Sequence, residues 1–387
     1  MIVDASVEDD GRRVRVTFSD GAASEFGASW LFDHADEARD PVSGQRRHSA
    51  SSLEGGARVE AVDHEAQTLR VRFSRPVAER RVSIEVLRRD LLGERRPAID
   101  LWQTPEAVAG AAPVRFGDYQ SDEDALRETL ARVRRWGLAF LSDAGADPSA
   151  VERAVARFGF VRETNYGRTF DVRIEPSPAN LAYSDLGLDL HTDNPYRDPV
   201  PTLQLLHAIV VDEGGGESLF ADGFAHAEPL RREEPAAFDI LARTPVRFSF
   251  TEPSGARWTH VAPVLSLDER GSLEAVRLNH RSLDLEAGEA AAVEAWYDAY
   301  LGFHRRAHAP GAVLERRLAT GDMVVFDNRR ILHGRRALTC HTPRWLRGCY
   351  ADVDGLAATL ARLDGARARP VQAEPPERDQ RALDSRA

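Results

Sequence analysis

Strand-like segments dominate the stretch from residue 160 to residue 352, where they alternate with long loops and two helical segments, near 227–243 and 286–306. These segments lack the regular strand–helix–strand spacing that a doubly wound parallel sheet requires. A β-sandwich or a jelly roll flanked by helices fits the pattern better. We therefore predict a mainly β fold with helices around it.

The first hundred residues form a second, smaller β-rich region. Apolar residues alternate with polar ones at Val14, Val16 and Phe18, and again over 69–74, which is the period of a half-buried strand. The polar, turn-rich stretch 30–48 between them is predicted as a loop.

The chain between these regions and after them is rich in residues that avoid regular structure. A connection containing Pro and Ala is predicted as a linker, and the last twenty residues, rich in Pro, Glu, Arg and Asp, as a disordered tail. After the linker, Ser121 is expected to cap a helix. The predicted organisation is a small β-rich domain (1–103), a linker (104–118), a large domain (119–366) and a tail (367–387).

Composition excludes several classes of protein. The formal net charge of −11 over 387 residues argues against a dedicated nucleic-acid binder, which carries a basic face. No apolar run approaches the length of about 18 residues that a transmembrane helix needs, and the start lacks a secretory pattern. Cys340 and Cys349 are too few for a disulfide framework. We expect a cytoplasmic protein with a small-molecule substrate and no nucleic-acid or membrane partner.

The segment LDLHTDNPY carries His191 and Asp193 one residue apart. On an extended strand, residues i and i+2 point to the same face, so both side chains can reach one ion. A third ligand completes a face of two histidines and one carboxylate, which leaves coordination positions open. The candidate is His333, which ends an apolar strand-like run and is followed by Gly334.

The pair of ligands alone is a weak signal, because other histidines offer chance partners for it. The histidines of this kind include His207, His260, His280 and His341. The combination of the pair with Leu-His-Gly-Arg and then Arg344, eleven residues after His333, is more specific. A guanidinium forms two parallel hydrogen bonds with a carboxylate, which suits an acidic cosubstrate.

Three blocks in order carry a family resemblance: HTDNPY (191–196), FDNRRILHGRR (326–336) and PRWLRGCYADVD (343–354). They resemble the γ-butyrobetaine hydroxylase family, including the trimethylammonio-ethylphosphonate hydroxylases, within the taurine-dioxygenase-like superfamily. The resemblance implies a double-stranded β-helix catalytic domain after a small N-terminal β domain. It implies Fe(II) at His191, Asp193 and His333, 2-oxoglutarate at Arg344, O2 as the oxidant, and a homodimer.

The N-terminal region departs from that family. Many members carry a structural zinc site after a Trp-Leu-x-Asp motif, built from a cysteine cluster and a later histidine. After Trp30-Leu31-Phe32-Asp33 this chain has HADEARD, which contains no cysteine. Because a structural zinc site needs soft or imidazole ligands at set spacings, we expect no zinc here.

The resemblance also implies a substrate pocket with an aromatic cage for a trimethylammonium group. Such a cation has no N–H, so ring faces recognise it, at roughly 0.5–2 kcal/mol for each contact. The matching positions are Tyr166, Phe170, Tyr183 and Tyr350. Core packing is the alternative for any one of them. Phe170 replaces a Trp of the family and is the weaker cation–π partner.

The family binds the anionic end of its substrate with two asparagines. Asn180 matches the first, and Arg281 stands at the second. A guanidinium adds charge and a fork that suits phosphate-like groups. The resemblance therefore predicts a substrate that is γ-butyrobetaine-like or its analogue 2-(trimethylammonio)ethylphosphonate. Alternatively, Arg281 pairs with Asp284 or Glu286.

Two other functions stay open on the sequence. The first is a superfamily member that acts on a sulfonate, a fatty acid or an amino acid, with the aromatic residues only packed. The second is a non-catalytic sensor of iron and 2-oxoglutarate. The complete triad together with Arg344 argues against the sensor, because a degenerate site usually loses a ligand.

Overall fold

A computed structural model gives the structure of most of the chain. The residues it describes are 1–89, 99–173, 185–211, 214–338 and 344–368. The chain divides into two compact units, Met1–Ala98 and Ile99–Ala387. No helix in these described ranges is both long and apolar enough to cross a membrane.

The first unit contains two three-stranded antiparallel sheets, ordered β1-β2-β3 and β4-β5-β6. Its elements are β1 (Ile2–Glu8), β2 (Arg13–Phe18), β3 (Ala23–Gly27), α1 (Ala28–His34), β4 (Arg58–Glu65), β5 (Thr68–Arg75), β6 (Val77–Ser83) and α2 (Ile84–Arg89). Val14, Val16 and Phe18 are buried as predicted. The predicted loop 30–48 is wrong at its start, because α1 runs to His34 and buries Leu31.

The first half of the second unit begins with short helices and then contributes strands to the two large sheets. Its elements are α3 (Glu106–Ala109), β7 (Val114–Arg115), α4 (Phe116–Ser121), α5 (Glu123–Trp136), β8 (Leu138–Ser142), α6 (Ala150–Ala156), β9 (Val161–Arg162), β10 (Phe170–Arg173), β11 (Leu188–His191), β12 (Leu203–Val210) and β13 (Ser218–Asp222).

The second half adds a helical pair, a small hairpin layer and the closing strands. Its elements are α7 (Gly223–Glu233), α8 (Pro235–Arg243), β14 (Val246–Thr251), β15 (Arg257–Ala262), β16 (Leu265–Leu267), β17 (Leu273–Val276), β18 (Leu283–Asp284), α9 (Ala290–Ala307), β19 (Leu314–Arg316), β20 (Met323–Asp327), β21 (Ile331–Arg335), β22 (Trp345–Ala351) and α10 (Val353–Ala368).

Two sheets of the second unit make the predicted jelly roll. The larger has the order β10-β22-β12-β20-β8-β7, with β9 also paired to β22, and the smaller has the order β11-β21-β13-β19. Neighbours are distant in sequence and antiparallel except for β7 with β8. This alternation between two sheets is the double-stranded β-helix. Strand β12 lies at the centre of the larger sheet and is buried along most of its length, from Leu203 to Ile209.

Three local predictions are corrected by the structure. The predicted linker 104–118 holds α3, β7 and the start of α4, because β7 pairs with β8 in the larger sheet. Asp122, not Ser121, caps α5, since its carboxylate accepts the Asp124 amide. The single helix predicted over 227–243 is two helices, because Pro235 begins a new one.

Helix α10 continues to Ala368, two residues into the predicted tail, and residues 369–387 of that tail lie outside the described ranges. The helix predicted near 286–306 is confirmed as α9. The remaining domain limits stay predictions.

A buried ion pair joins the smaller sheet to the helices beside it. Asp222 and Arg330, with side chains 0% and 3% exposed, are 2.7 Å apart. The Asp222 carboxylate also accepts amides at the start of α7, and Arg330 also donates to the carbonyls of Asp100 and Arg135. The charges are compensated by several hydrogen bonds, which is the condition under which a buried pair is tolerated.

Removing one member of this pair should destabilise the protein. We expect Arg330→Met to lower the free energy of unfolding by about 3–5 kcal/mol, because it leaves Asp222 charged and buried without its partner. Urea denaturation followed by circular dichroism measures the change. The matched control is Arg243→Met, which breaks an exposed pair with Asp239 and should leave stability close to that of the wild type. Equal effects of the two variants would contradict this account.

Candidate active site

Strand pairing brings the two predicted histidine ligands together. Strands β11 and β21 are antiparallel neighbours, and His191 lies directly opposite His333 in their register. Their rings are 4.3 Å apart. Asp193 lies two residues past the end of β11, at a turn where Asn194 takes a φ of 54°. The prediction that Asp193 shares a strand with His191 is therefore wrong, although the two side chains do converge.

The three side chains form a compact group of ligand atoms. His191 Nε2 is 3.4 Å from one carboxylate oxygen of Asp193, and His333 Nε2 is 3.7 Å from the other. All three ligating atoms lie within 4.8 Å of one another, as binding a single ion requires. His191 Nδ1 donates to the carbonyl of Asp189 at 2.8 Å, and Nε2 therefore faces Asp193 and the position of an ion.

Burial and neighbouring charges put the ligands in the protonation states that a metal requires. Burial opposes ionisation of Asp193, but a hydrogen bond with His191 and the charges of His333, His191 and Arg281 hold its pKa well below the usual value. Burial, reinforced by the charge of His191, lowers the pKa of His333 to about 3. At neutral pH the site therefore offers an ionised carboxylate and a neutral imidazole.

A set of neighbours holds Asp193 in place. Gln204 Nε2 and the Tyr350 hydroxyl each donate to the same Asp193 oxygen at 3.0 Å. The side chain of Asn328 accepts from the Asp193 amide at 2.8 Å and donates to its carbonyl at 3.0 Å. Sequence reasoning missed Gln204 and Asn328. Asn328 could have been predicted as a site residue, because it lies in the same sequence motif (326–336) as His333.

The ligands open into a cavity of about 320 Å³. Every predicted site residue that the structure describes lines it, and Asn180 and Tyr183 lie outside the described ranges. The predicted residues in the lining are Tyr166, Phe170, His191, Asp193, Arg281, His333, Arg344 and Tyr350.

An aromatic wall forms one side of the cavity. Phe170 lies 5.0 Å from Tyr350 and 6.3 Å from Tyr166 between ring centres. Phe250 extends the wall, at 6.1 Å from Tyr166 and 5.3 Å from Tyr196. Sequence reasoning missed Tyr196 and Phe250. Tyr196 is the last residue of HTDNPY, whereas Phe250 follows only the ordinary alternation of β14.

A glycine makes room for this wall. A Cβ on Gly348 would lie 2.4 Å from the Phe170 ring and 3.0 Å from Leu206. Only a residue without a side chain allows β22 to pass so close to the ring. The Gly in the motif around Arg344 therefore shapes the pocket.

Arginines line the cavity around the metal ligands. Arg344 and Arg335 are 7% and 5% exposed, and Arg335 donates to the Leu186 carbonyl at 2.6 Å. Arg335, which sequence reasoning missed, stands two residues after His333, and burial lowers its pKa. Buried guanidinium groups beside an open cavity suit an anionic cosubstrate. Arg281 also lines the cavity.

Comparisons with known proteins identify the family of the chain. Residues 102–350 match the family model described as taurine catabolism dioxygenase TauD, TfdA family. Gamma-butyrobetaine dioxygenase of Pseudomonas sp. (strain AK-1) is 33% identical over 92% of this chain and 79% of its own length. Trimethyllysine dioxygenase of Meyerozyma guilliermondii is 26% identical over 92% of this chain and 94% of its own length. Among solved structures, PvcB of Pseudomonas aeruginosa aligns with a TM-score of 0.47 and 21% identity over 63% of this chain and 84% of that chain.

A jelly roll that carries a His-Asp-His triad defines the class of Fe(II)- and 2-oxoglutarate-dependent dioxygenases. The chain belongs to the TauD/TfdA family, on its γ-butyrobetaine hydroxylase branch. It is thus an enzyme that uses iron and 2-oxoglutarate. The expected homodimer, the cytoplasmic location and the absence of zinc, nucleic-acid and membrane partners stay predictions.

The hydroxyl of Tyr350 should contribute to metal affinity. We expect Tyr350→Phe to weaken Fe(II) binding roughly 10–100-fold, because a donor that fixes the Asp193 carboxylate is lost. Anaerobic titration calorimetry measures the affinity. Tyr119→Phe is the matched control, since its buried hydroxyl donates to the Ala154 carbonyl and not to the site. An unchanged affinity in Tyr350→Phe would show that the hydrogen bond has no part in holding the ligand.

Proposed function

We propose that His191, Asp193 and His333 hold the iron and that Arg344 binds the distal carboxylate of 2-oxoglutarate. The convergence of the three ligand atoms supports the first assignment. The position of Arg344 in the lining of the same cavity supports the second, because a guanidinium can form two parallel hydrogen bonds with a carboxylate. When bound, iron and 2-oxoglutarate use O2 to hydroxylate a C–H bond, with release of succinate and CO2.

The substrate in this proposal is a small trimethylammonium zwitterion, γ-butyrobetaine or its analogue 2-(trimethylammonio)ethylphosphonate. The observation that carries it is the aromatic wall of Tyr166, Phe170, Tyr350 and Phe250 beside the metal ligands. Ring faces attract a quaternary ammonium, and desolvation inside a cavity strengthens the attraction. The similar proteins named for γ-butyrobetaine and trimethyllysine point to the same chemical group.

The size of the cavity also favours a short substrate. A volume of about 320 Å³ lies near the lower end of ligand pockets, at about 300–1,000 Å³. Because 2-oxoglutarate occupies part of that volume, the remainder suits a short zwitterion better than a fatty acid.

Arg281 is proposed to receive the anionic end of the substrate. It lines the cavity, and its positive charge helps to lower the pKa of Asp193. Glu286, one of the two acids that the sequence suggests as partners for Arg281, forms an ion pair with Arg247. Ser249 and Ser282 also line the cavity and offer hydroxyl donors. A dianionic phosphonate gains more from this arginine than a carboxylate does.

Anchoring both ends would fix the substrate over the metal. The aromatic wall holds the cation, Arg281 holds the anion, and one carbon between them is presented for attack. Such positioning converts binding free energy into a selective reaction. The chain itself supplies position and exclusion of water, while the oxidising chemistry belongs to the cofactors.

A substrate panel scored by succinate release tests the proposed function. The panel contains γ-butyrobetaine, trimethyllysine, the trimethylammonium phosphonate, taurine and an analogue of γ-butyrobetaine in which an uncharged tert-butyl group replaces the trimethylammonium group. We expect turnover with a trimethylammonium compound, and Phe250→Leu should raise its KM by roughly 2–30-fold, since one cation–π contact is lost. The KM of the tert-butyl analogue should change less, because this compound has no cation to contact the ring.

Other outcomes of the panel would select the alternatives. Turnover of taurine alone would assign the enzyme to a small sulfonate. Binding of iron and 2-oxoglutarate without succinate release from any compound would favour the sensor. If Phe250→Leu raised the KM of the trimethylammonium substrate and of its tert-butyl analogue equally, the aromatic wall would act only by packing.

A second variant tests the anionic end. We expect Arg281→Asn to lower kcat/KM for the phosphonate substrate more than for γ-butyrobetaine, because the dianion loses the larger interaction. Steady-state kinetics with both compounds measures the two ratios. Arg247→Asn, which removes an arginine already paired with Glu286, is the control and should affect both substrates alike. Equal losses in Arg281→Asn would remove Arg281 from head-group recognition.

A further inference from the structure

A second group of one carboxylate and two imidazoles lies beside the active site. Asp189 stands on β11, two residues before His191, while His304 and His308 stand one turn apart at the end of α9. His304 Nε2 is 2.7 Å from one Asp189 oxygen, and His308 Nε2 is 2.5 Å from the other. The two rings stack at 3.9 Å. The ligating atoms all lie within 4.8 Å of one another.

The hydrogen bonds of His308 require more than a neutral imidazole provides. Its Nδ1 lies 2.8 Å from the His304 carbonyl, and its Nε2 faces the Asp189 carboxylate. Both neighbours accept hydrogen bonds, but a neutral ring has a single N–H to donate. Either the ring is a cation, or a metal ion takes the place of the proton between Nε2 and the carboxylate.

The same arrangement occurs at the proposed iron ligands. There, His191 Nδ1 donates to a backbone carbonyl and Nε2 faces the Asp193 carboxylate. A carbonyl or carboxylate on one nitrogen with a metal on the other is the usual environment of a ligating histidine. Two histidines four residues apart on a helix also present their rings on one face, as in helical zinc sites.

We propose that Asp189, His304 and His308 form a second metal site, which binds a divalent transition ion of the Zn²⁺ type. Imidazole and carboxylate are ligands that Zn²⁺ accepts, and water completes its coordination. The side chains are 66%, 31% and 28% exposed, so an ion reaches them from solvent. Bonds of about 2.0–2.2 Å place tetrahedral ligand atoms about 3.3–3.5 Å apart, so binding requires the carboxylate to move by less than about 1 Å.

Binding at this second site would act on the strand that carries His191. The side chain of Asp189 belongs to the second site, while its carbonyl accepts the Nδ1 proton of His191. An ion that joins Asp189 to α9 therefore restrains the carbonyl that orients His191. The site differs from the proposed iron site in its exposure, since His191 and His333 are 6% and 7% exposed.

Zinc stoichiometry tests the proposal independently of turnover. In the metal-free double variant His191→Ala/His333→Ala, calorimetric titration with Zn²⁺ should show one ion bound per chain. Adding His304→Ala and His308→Ala should abolish that binding, and the midpoint of thermal unfolding should no longer rise with Zn²⁺. No Zn²⁺ bound in the first variant, with folding verified by circular dichroism, would overturn the proposal.

A second arm uses proteins in which the proposed iron ligands are intact. The metal-free wild type should bind two Zn²⁺ ions per chain, and His304→Ala should bind one. His260→Ala is the matched control, because His260 lies 4.0 Å from Asp198 as a simple imidazole–carboxylate pair. It should keep the wild-type stoichiometry. One Zn²⁺ in both the wild type and His304→Ala would show that Asp189 only forms ion pairs with protonated histidines.

Discussion

The pairing of β11 with β21 is the constraint on which the active site depends. It places His191 opposite His333, although the two residues belong to distant parts of the chain. A shift of one residue in this register would turn one histidine to the other face of the sheet. Gly334 allows the two strands to approach in this register. A Cβ at this position would lie 2.6 Å from the Leu188 carbonyl oxygen and would push the strands apart. The Leu-His-Gly motif thus encodes both a ligand and the close approach of the partner strand.

Asp193 depends on a different kind of support. It lies beyond the end of β11, so hydrogen bonds with Asn328, Gln204 and Tyr350 replace the sheet ladder in positioning it. The sheet therefore positions the two histidines, and side chains from other segments position the carboxylate. The arginines that line the same cavity balance its acidic ligand, in a chain whose formal net charge is −11.

Sequence patterns predicted the parts of the site that lie in continuous motifs. His191, Asp193, His333 and Arg344 could be identified because each stands in a short block with fixed spacing. Phe250 and the cluster around Asp189 could not, because they arise from contacts between segments whose own patterns are ordinary. Local errors had local causes: Asp122 competed with Ser121 as a helix cap, and Pro235 divided one predicted helix into two.

Tyr350 belongs to the aromatic wall and also donates to Asp193. A substitution of Tyr350 that changes the preferred substrate would also remove the hydrogen bond to the proposed metal ligand Asp193. Phe170 and Phe250 carry no polar group and so make no hydrogen bond to the ligands. Adaptation of this fold to new substrates would therefore proceed through those two positions, while Tyr350 stays constant as descendants diverge.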